Sequence, residues 1–322
     1  MKILVVGGAG YIGSHFVLEA YQAGHDVVVF DDLSTGFKSN LDNGIDFFEG
    51  STLSNQNLSE IMNSSSFDVA VYLAACKAAG ESMTDPVKYA SNNIIGGINF
   101  IKACVEYDVK KIVFSSSAAV YGLPLYNPID EAHSLKPINF YGYTKKIIEE
   151  NLKWFSDLKG IRYASLRYFN AAGYDSDNQN LNKENNPQNL IPLIMEVAEG
   201  SRRSIQVYGN DYSTKDGTGV RDYIHVTDLA KGHLASIDYL FQNDNDLTVN
   251  LGSGRGHSVL EIIKMTEDVS NRNINYKVFD RRDGDPDIVI ASSKKATELI
   301  GWSPNKSDLH NIIRSTWNIY NR

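Results

Sequence analysis

The fold class predicted is α/β: a doubly wound parallel sheet covered by helices on both faces, with a smaller α/β lobe attached. Three observations predict it. An apolar, β-branched run at the N-terminus, Lys2-Ile-Leu-Val-Val, meets a glycine cluster, Gly7-Gly-Ala-Gly10-Tyr-Ile-Gly13. Further strand-like runs then alternate with segments of helical period, the pattern of parallel strands joined by right-handed crossovers. At 322 residues the chain is also long for one domain, so a large domain with a smaller companion is the starting expectation.

The glycine cluster is a phosphate cradle. Gly7 permits a tight turn, Gly10 lets backbone amides approach a pyrophosphate, and Gly13 lets the following helix sit close to its strand. The helix, over residues 11–23 with Ile12, Phe16, Val17 and Ala20 on one face, then offers its N-terminal amides and partial positive charge to the anion. The next strand, over 26–30, ends in Asp31-Asp32. Carboxylates at that point accept hydrogen bonds from adenosine-ribose hydroxyls and, with no arginine beside them, repel a 2′-phosphate, so NAD is favoured over NADP.

Strands follow over 45–49 and 69–73, with a polar helix over 55–63 between them. After Leu73 come small residues and one cation, Ala-Ala-Cys-Lys77, at the carboxyl end of a strand, where ligands of such sheets bind. Lys77 is either a phosphate-neutralising cation or an ordinary surface lysine, and its position does not choose between them. A helix over 86–107 leads to a strand over 111–114 that runs into Ser115-Ser116-Ser117. Tyr141-Gly-Tyr-Thr-Lys145 then opens a helix through about residue 155. Residues four apart share a helix face, so the Tyr141 hydroxyl and the Lys145 ammonium can meet over one site. A tyrosine is a poor base near neutrality, and an adjacent cation is expected to favour its phenolate. The same spacing at Tyr107 and Lys111 lacks the serine cluster and the helix start and is read as coincidence.

Composition narrows the function classes. The net charge of −8 argues against nucleic acid. No apolar run is long enough for a membrane span, and the N-terminus lacks the pattern of a signal peptide. Two cysteines, Cys76 and Cys104, without metal-ligand spacing suit a reduced cytoplasm, and seven histidines without a ligand motif make a metal site unexpected. An acidic protein that binds an anion needs isolated cations, and Arg221 and Arg282 are candidates; read cold, each is as well a surface arginine.

These pieces together resemble the extended short-chain dehydrogenase/reductase family, of Rossmann fold, and within it the UDP-glucose 4-epimerases. The resemblance covers nearly the whole chain. It is carried by residues 7–15, Lys77-Ala-Ala-Gly-Glu-Ser82, Phe114-Ser-Ser-Ser-Ala-Ala-Val-Tyr-Gly122, Tyr141-Gly-Tyr-Thr-Lys145 and Arg167-Tyr-Phe-Asn170. The most specific piece is Tyr208-Gly-Asn-Asp-Tyr-Ser-Thr-Lys-Asp-Gly-Thr-Gly-Val-Arg-Asp-Tyr-Ile-His225.

The resemblance implies Ser117, Tyr141 and Lys145 as catalytic residues: Ser117 bridging the sugar hydroxyl and Tyr141, Tyr141 as acid/base, and Lys145 on the nicotinamide ribose. It implies an NAD site from Gly7, Gly10, Tyr11, Ile12, Gly13, Asp31, Asp32, Leu33, Ser34, Thr35, Gly36, Ser51, Thr52, Leu73, Ala74, Lys77, Asn92, Ser115 and Phe169, with Tyr141 and Lys145. The UDP-hexose would be held by Asn170, Asn189, Leu190, Val207, Tyr208, Arg221, Arg282, Asp285 and Ile288, with Ser117 and Tyr141. Three departures stand out. Ser51 replaces the usual aspartate, Phe140 replaces the proline that commonly precedes the tyrosine, and the stretch after Arg281-Arg-Asp-Gly-Asp285 is one residue shorter than in some members. That puts Ile288, intermediate in size, where family members gate the sugar's 2-substituent.

The implied reaction is epimerisation at C4 through a transient 4-keto sugar, as an isomerase of UDP-glucose and UDP-galactose. UDP-N-acetylhexosamine and UDP-glucuronate are the alternative substrates, since pocket shape sets the choice. A 4,6-dehydratase would need an acidic pair after Ser117, where this chain has Ala118-Ala119. The non-enzymatic alternative is an NAD-binding regulator, against which the intact triad argues. The expected division is 1–174 plus about 222–252 for the NAD-binding domain and 175–221 plus about 253–322 for the sugar-nucleotide lobe, with the polar 175–188 stretch as the crossing. The resemblance also implies a homodimer.

Overall fold

The computed structural model describes residues 1–175, 183–184, 187–282 and 284–322. The chain opens with β1 (Lys2–Val6), α1 (Tyr11–Gln22), β2 (Asp26–Asp31), β3 (Asp46–Glu49), α2 (Asn55–Ser64) and β4 (Val69–Tyr72). The expected helix over 86–107 is present as one unbroken helical run over 86–106 that contains a π-helical stretch, and a short helix precedes it. The preceding helix is α3 (Ala79–Thr84); the run itself is α4 (Pro86–Tyr89), a π-helical segment (Ala90–Ile95) and α5 (Gly96–Glu106), contiguous with one another. Asp85 caps α4 by accepting from the Lys88 amide, with Pro86 as first helical residue, which separates α4 from α3. Next come β5 (Lys111–Ser117), longer than expected because the serines join the strand, α6 (Phe140–Lys159), β6 (Arg162–Tyr168) and β7 (Asn170–Ala172).

The second half supplies α7 (Leu190–Glu199), β8 (Ile205–Tyr208), β9 (Val220–His225), α8 (Val226–Asn243) and β10 (Leu247–Leu251). It ends with β11 (Gly256–Ser258), α9 (Val259–Ser270), β12 (Tyr276–Phe279), β13 (Ile288–Val289), α10 (Lys294–Ile300) and α11 (Leu309–Tyr320).

Seven strands form one parallel sheet in the order β10-β6-β5-β4-β1-β2-β3. Alternate residues of its strands face two separate cores. Ile3, Val5, Val113 and Leu166 pack with Phe16 and Val17 of α1 and Leu229 and Ile237 of α8. Leu4, Ile112 and Phe114 pack with Leu58 of α2, Phe100 of α5 and Ile148 and Leu152 of α6. This is the doubly wound arrangement, and its strand order reverses at β1, between β4 and β2. A crevice opens there at the carboxyl ends of the strands.

The smaller lobe is built on β7, β9, β11 and β13, on the β8–β12 pair, and on α7, α9 and α11, which share a third core. The chain re-enters the large layer at α8, because β9 up to His225 still pairs with β7. Of the C-terminal part, Ala296 and Trp302 pack into the core of the large sheet. Most of the 175–188 crossing lies outside the described residues. No helix among the described residues is long and apolar enough to cross a membrane.

Three buried histidines, His15, His225 and His233, are at most 1% exposed. Burial lowers them from 6.5 to about 4, 3 and 4 respectively. The unfolded chain therefore binds more protons than the folded one at mildly acid pH. Each histidine removes stability as pH falls from 6.5 towards its folded value, at about 1.4 kcal/mol per pH unit. His233 donates through Nδ1 to Leu229 O at 2.8 Å and lies tilted against the rings of Phe16 and Tyr168. A His233→Leu variant should lose about one proton's worth of that slope in urea unfolding between pH 6.5 and 4.5; curves parallel to the wild type would refute the assignment.

Candidate active site

The glycine loop leaves β1 at the crevice. Gly7 has φ +82°, its amide donates to Phe30 O on β2 at 2.9 Å, and a Cβ there would lie 2.5 Å from the Ala74 amide nitrogen beyond β4. A Cβ on Gly13 would sit 2.1 Å from Gly7 O, so the helix can approach its strand only as glycine. Gly8, absent from the sequence-based candidates, is equally confined, 2.8 Å from Val29. Gly10 differs: its Cβ would meet only Gly7 O, at 3.5 Å. The space in front of it is open, and no side chain caps the first turn of α1. A cradle with free amides and room only for backbone fits a pyrophosphate.

Asp31, 8% exposed, accepts the Ala9 amide on Oδ2 and the Leu33 amide on Oδ1, both at 2.9 Å. It shapes the loop, and burial pushes its carboxyl up. Asp32 is exposed and accepts only from the Ser34 amide, at 3.0 Å. Leu33 adopts φ +56°, Ser34 and Thr35 are exposed, and Gly36 packs on the Ala9 backbone. Ser51, at the end of β3, donates its amide to Asn57, and Thr52 O accepts from Asn99. The Leu73 and Ala74 amides both donate to Val6 O, at 2.8 and 3.1 Å, which holds the β4 exit against the glycine loop.

Ser117 ends β5, and its hydroxyl accepts the Ala119 amide at 3.2 Å to start a short 3-10 turn. Tyr141 is the second residue of α6. Asn139 caps that helix through the Gly142 amide at 2.8 Å, so Phe140 begins the helix without the usual proline. Ser82 Oγ accepts the Tyr141 amide at 3.0 Å. One turn on, Lys145 is 3% exposed, and its Nζ donates to Ser115 O at 2.6 Å and lies 5.9 Å from the Tyr141 ring centre. The triad thus meets at one strand end, beside the cradle.

The electrostatics correct one expectation. Burial raises the Tyr141 phenol, partly opposed by hydrogen bonding with Ser117, and Lys145 contributes no lowering. Burial also brings Lys145 down to about 7, against the upward pull of Glu149 and Cys76. In the protein alone the lysine is at the edge of its charged range, so burial outweighs it at the phenol.

Two of the candidate cations have carboxylate partners. Lys77 is ion-paired with Glu184 and sits near the Tyr11 ring, so a phosphate would have to displace a carboxylate. Tyr11 itself donates to Gly173 O, and Ile12 packs on the core beside it. Arg221 is not isolated, being paired with Asp285. Arg282 stacks on Tyr208, its guanidinium carbon 3.9 Å from the ring centre. Asn92 donates to Lys88 O at 3.0 Å from the π-helical segment, and Phe169 packs with Tyr121 and Ala291.

Asn170 donates to Asp222 O at 2.9 Å, Asn189 and Leu190 begin α7, Val207 is buried on β8, and Ile288 pairs with Val220 in the small sheet. Asp283 lies outside the described residues. Sequence reasoning missed Asn93, which is 3% exposed and brackets Cys76 N and O at 2.8 and 2.9 Å while donating to Thr144 at 3.1 Å. Its signal was the asparagine pair inside an otherwise apolar helix. It also missed Glu149 and Arg167, a buried ion pair beneath Lys145.

A sheet with a dinucleotide cradle beside a Ser–Tyr–Lys cluster defines a class of nicotinamide-dependent enzyme, and the comparisons agree. A model described as "NAD dependent epimerase/dehydratase family" matches residues 3–252, and the chain belongs to that family. A UDP-glucose 4-epimerase of Lacticaseibacillus casei is 42% identical over 319 residues, covering 99% of this chain and 96% of the relative. The structure resembles that of UDP-glucose 4-epimerase from Brucella ovis in complex with NAD, with TM-score 0.96, 41% identity and coverage of 99% and 98% of the two chains. It also resembles that from Bifidobacterium longum in complex with NAD+ and UDP, with TM-score 0.94, 34% identity and coverage of 100% and 98%.

Gly10 and Gly13 separate binding from folding. A Gly10→Ala protein should keep its melting temperature within about 3 °C, since its Cβ meets no close neighbour, yet bind NAD roughly tenfold or more weakly. Calorimetric titration and thermal unfolding check it; unchanged NAD affinity would place the pyrophosphate elsewhere.

Proposed function

We propose that this protein interconverts UDP-glucose and UDP-galactose through a transient 4-keto sugar, with NAD as its resident cofactor. The observation that carries the reading is the meeting of Ser117, Tyr141 and Lys145 at the carboxyl end of β5, beside the open Gly10 cradle. NAD, when bound, supplies hydride acceptance and return at the sugar C4. The residues do the proton work. The Tyr141 oxygen takes the proton of the sugar 4-hydroxyl and later gives it back, with the Ser117 hydroxyl aligning the two oxygens by hydrogen bond. Lys145 holds the cofactor ribose and, when charged, favours the phenolate that Tyr141 must become.

No net proton or electron is consumed, so the site needs no second acid. Ala118 and Ala119, the two residues after Ser117, offer none, which favours epimerisation over dehydration within the family. The UDP moiety falls to the smaller lobe: Tyr208 and Arg282 form a stacked platform, and Arg221 exchanges Asp285 for a diphosphate, to which its fork is suited. Firm anchorage of the nucleotide leaves the hexose free to turn.

The free thiols Cys76 and Cys104 suit a reducing, cytoplasmic setting. Ile95, Trp154 and Leu158, 52%, 64% and 70% exposed on the α5–α6 side of the large layer, fit a homodimer interface.

The test is epimerisation of UDP-galactose and UDP-N-acetylgalactosamine side by side, by wild type and Tyr141→Phe. Wild type should turn over UDP-galactose, and Tyr141→Phe should lose roughly 10²–10⁴-fold in kcat with little change in KM. Turnover of the N-acetyl sugar alone, or full activity without the hydroxyl, would reject the proposal.

A further inference from the structure

Glu149 stands one turn beyond Lys145 on α6, on the same helix face, and is 8% exposed. It is not merely tolerated there. Ser116 and Arg167 are directly opposed residues of the β5–β6 ladder, and both reach up to its carboxylate. Ser116 Oγ donates to Oε1 at 2.5 Å, Arg167 Nε to Oε1 at 2.9 Å and Arg167 Nη2 to Oε2 at 2.5 Å. Arg167 is itself fixed from behind, donating to Tyr121 Oη at 3.2 Å, while Tyr121 donates to Asn250 Oδ1 at 2.6 Å. A buried carboxylate with both oxygens hydrogen-bonded is held in one position.

Lys145, by contrast, has no carboxylate within ion-pair range among the described residues; its ammonium is held only by Ser115 O at 2.6 Å and by the faces of Phe114 and Tyr141. The groups around this pair are few: Cys76 beyond β4, Tyr141 on α6, Tyr163, Arg167 and Tyr168 on β6, and Tyr121 after β5. Glu131 lies beyond Tyr121 and Asn250, and Asp246 and Asp157 beyond Tyr163, while Glu149 is the carboxylate one turn from Lys145 on its own helix.

We propose that Glu149 is a positioning residue for the reaction: clamped by the Ser116–Arg167 rung one turn from Lys145, it keeps the ammonium charged while Ser115 O aims it at the end of β5. The site thereby keeps a cation next to Tyr141 without placing a carboxylate in contact with it, which would quench the cation's influence on the phenol. Burial pulls Lys145 towards neutrality, and Glu149 is the leading opposing influence. The function proposed above is assumed only for the kinetic part of the test.

Glu149→Gln keeps the shape and removes the charge. Because it strands the Arg167 cation, the double variant Glu149→Gln/Arg167→Met, which removes both charges, is measured beside it. In protein carrying ¹³C-labelled lysine, with the Lys145 signal assigned by Lys145→Met, the Lys145 midpoint should fall in both variants, by roughly one pH unit in Glu149→Gln, where the Arg167 cation is unopposed, and by less in the double variant. The alkaline limb of the kcat profile should move to lower pH by the same amount, with KM for UDP-galactose changed less than about threefold. Glu149→Asp should restore part of both shifts. A Lys145 midpoint equal to the wild type in the double variant would overturn the proposal, as would a uniform loss of kcat without displacement of the limb. A wild-type protein that turned over no UDP-sugar would reject the function instead, and the lysine midpoint would still decide the role of Glu149.

Discussion

The contact on which the rest depends is that of α1 against the loop that feeds it. Gly7 O occupies the place where any side chain at Gly13 would begin. Because the helix comes in that close, its first amides face the crevice between β2 and β4, and the same loop leans on the β4 exit at Ala74. Asp31 closes the arrangement from the other side by taking two loop amides. The proposed anion site is therefore made of backbone whose geometry the protein itself sets. An acidic protein of net charge −8 can bind a dinucleotide this way because fixed dipoles need no counter-charge.

Most of the large layer was legible. Buried parallel strands leave continuous β-branched runs, and β1, β2, β4 and β5 each left one; the glycines marked the single place where strand and helix must touch. What escaped was short or indirect. A π-helical segment keeps helical composition, so the 86–107 helix was legible while the change of hydrogen-bond pattern inside it was not. Strands such as β11 and β13, of three and two residues, are too brief to show a period and exist through their partners on β9.

At the site the residue types were legible and their partners were not. Tyr141 and Lys145 announce themselves by spacing, but the burial that raises one and lowers the other depends on elements far apart in sequence. Lys77 and Glu184 are 107 residues apart, and Arg221 and Asp285 are 64 apart. A glutamate on a helix reads as a solvated face, and Glu149 became interior only because Ser116 and Arg167 stand opposite each other beneath it.

Strands β6 and β7 are separated by Phe169 alone, and Phe169 is wedged against Tyr121 and Ala291. The large sheet thus passes into the small one through a single residue, one strand in from its β10 edge. A junction this short and this tightly packed has no slack for a hinge. Under the function proposed above, the part left to turn is then the hexose, on its diphosphate linkage. An enzyme built so would meet each face of the ring by letting the cargo rotate, which calls for a chamber roomy in one direction and a nucleotide grip that never loosens during the turn.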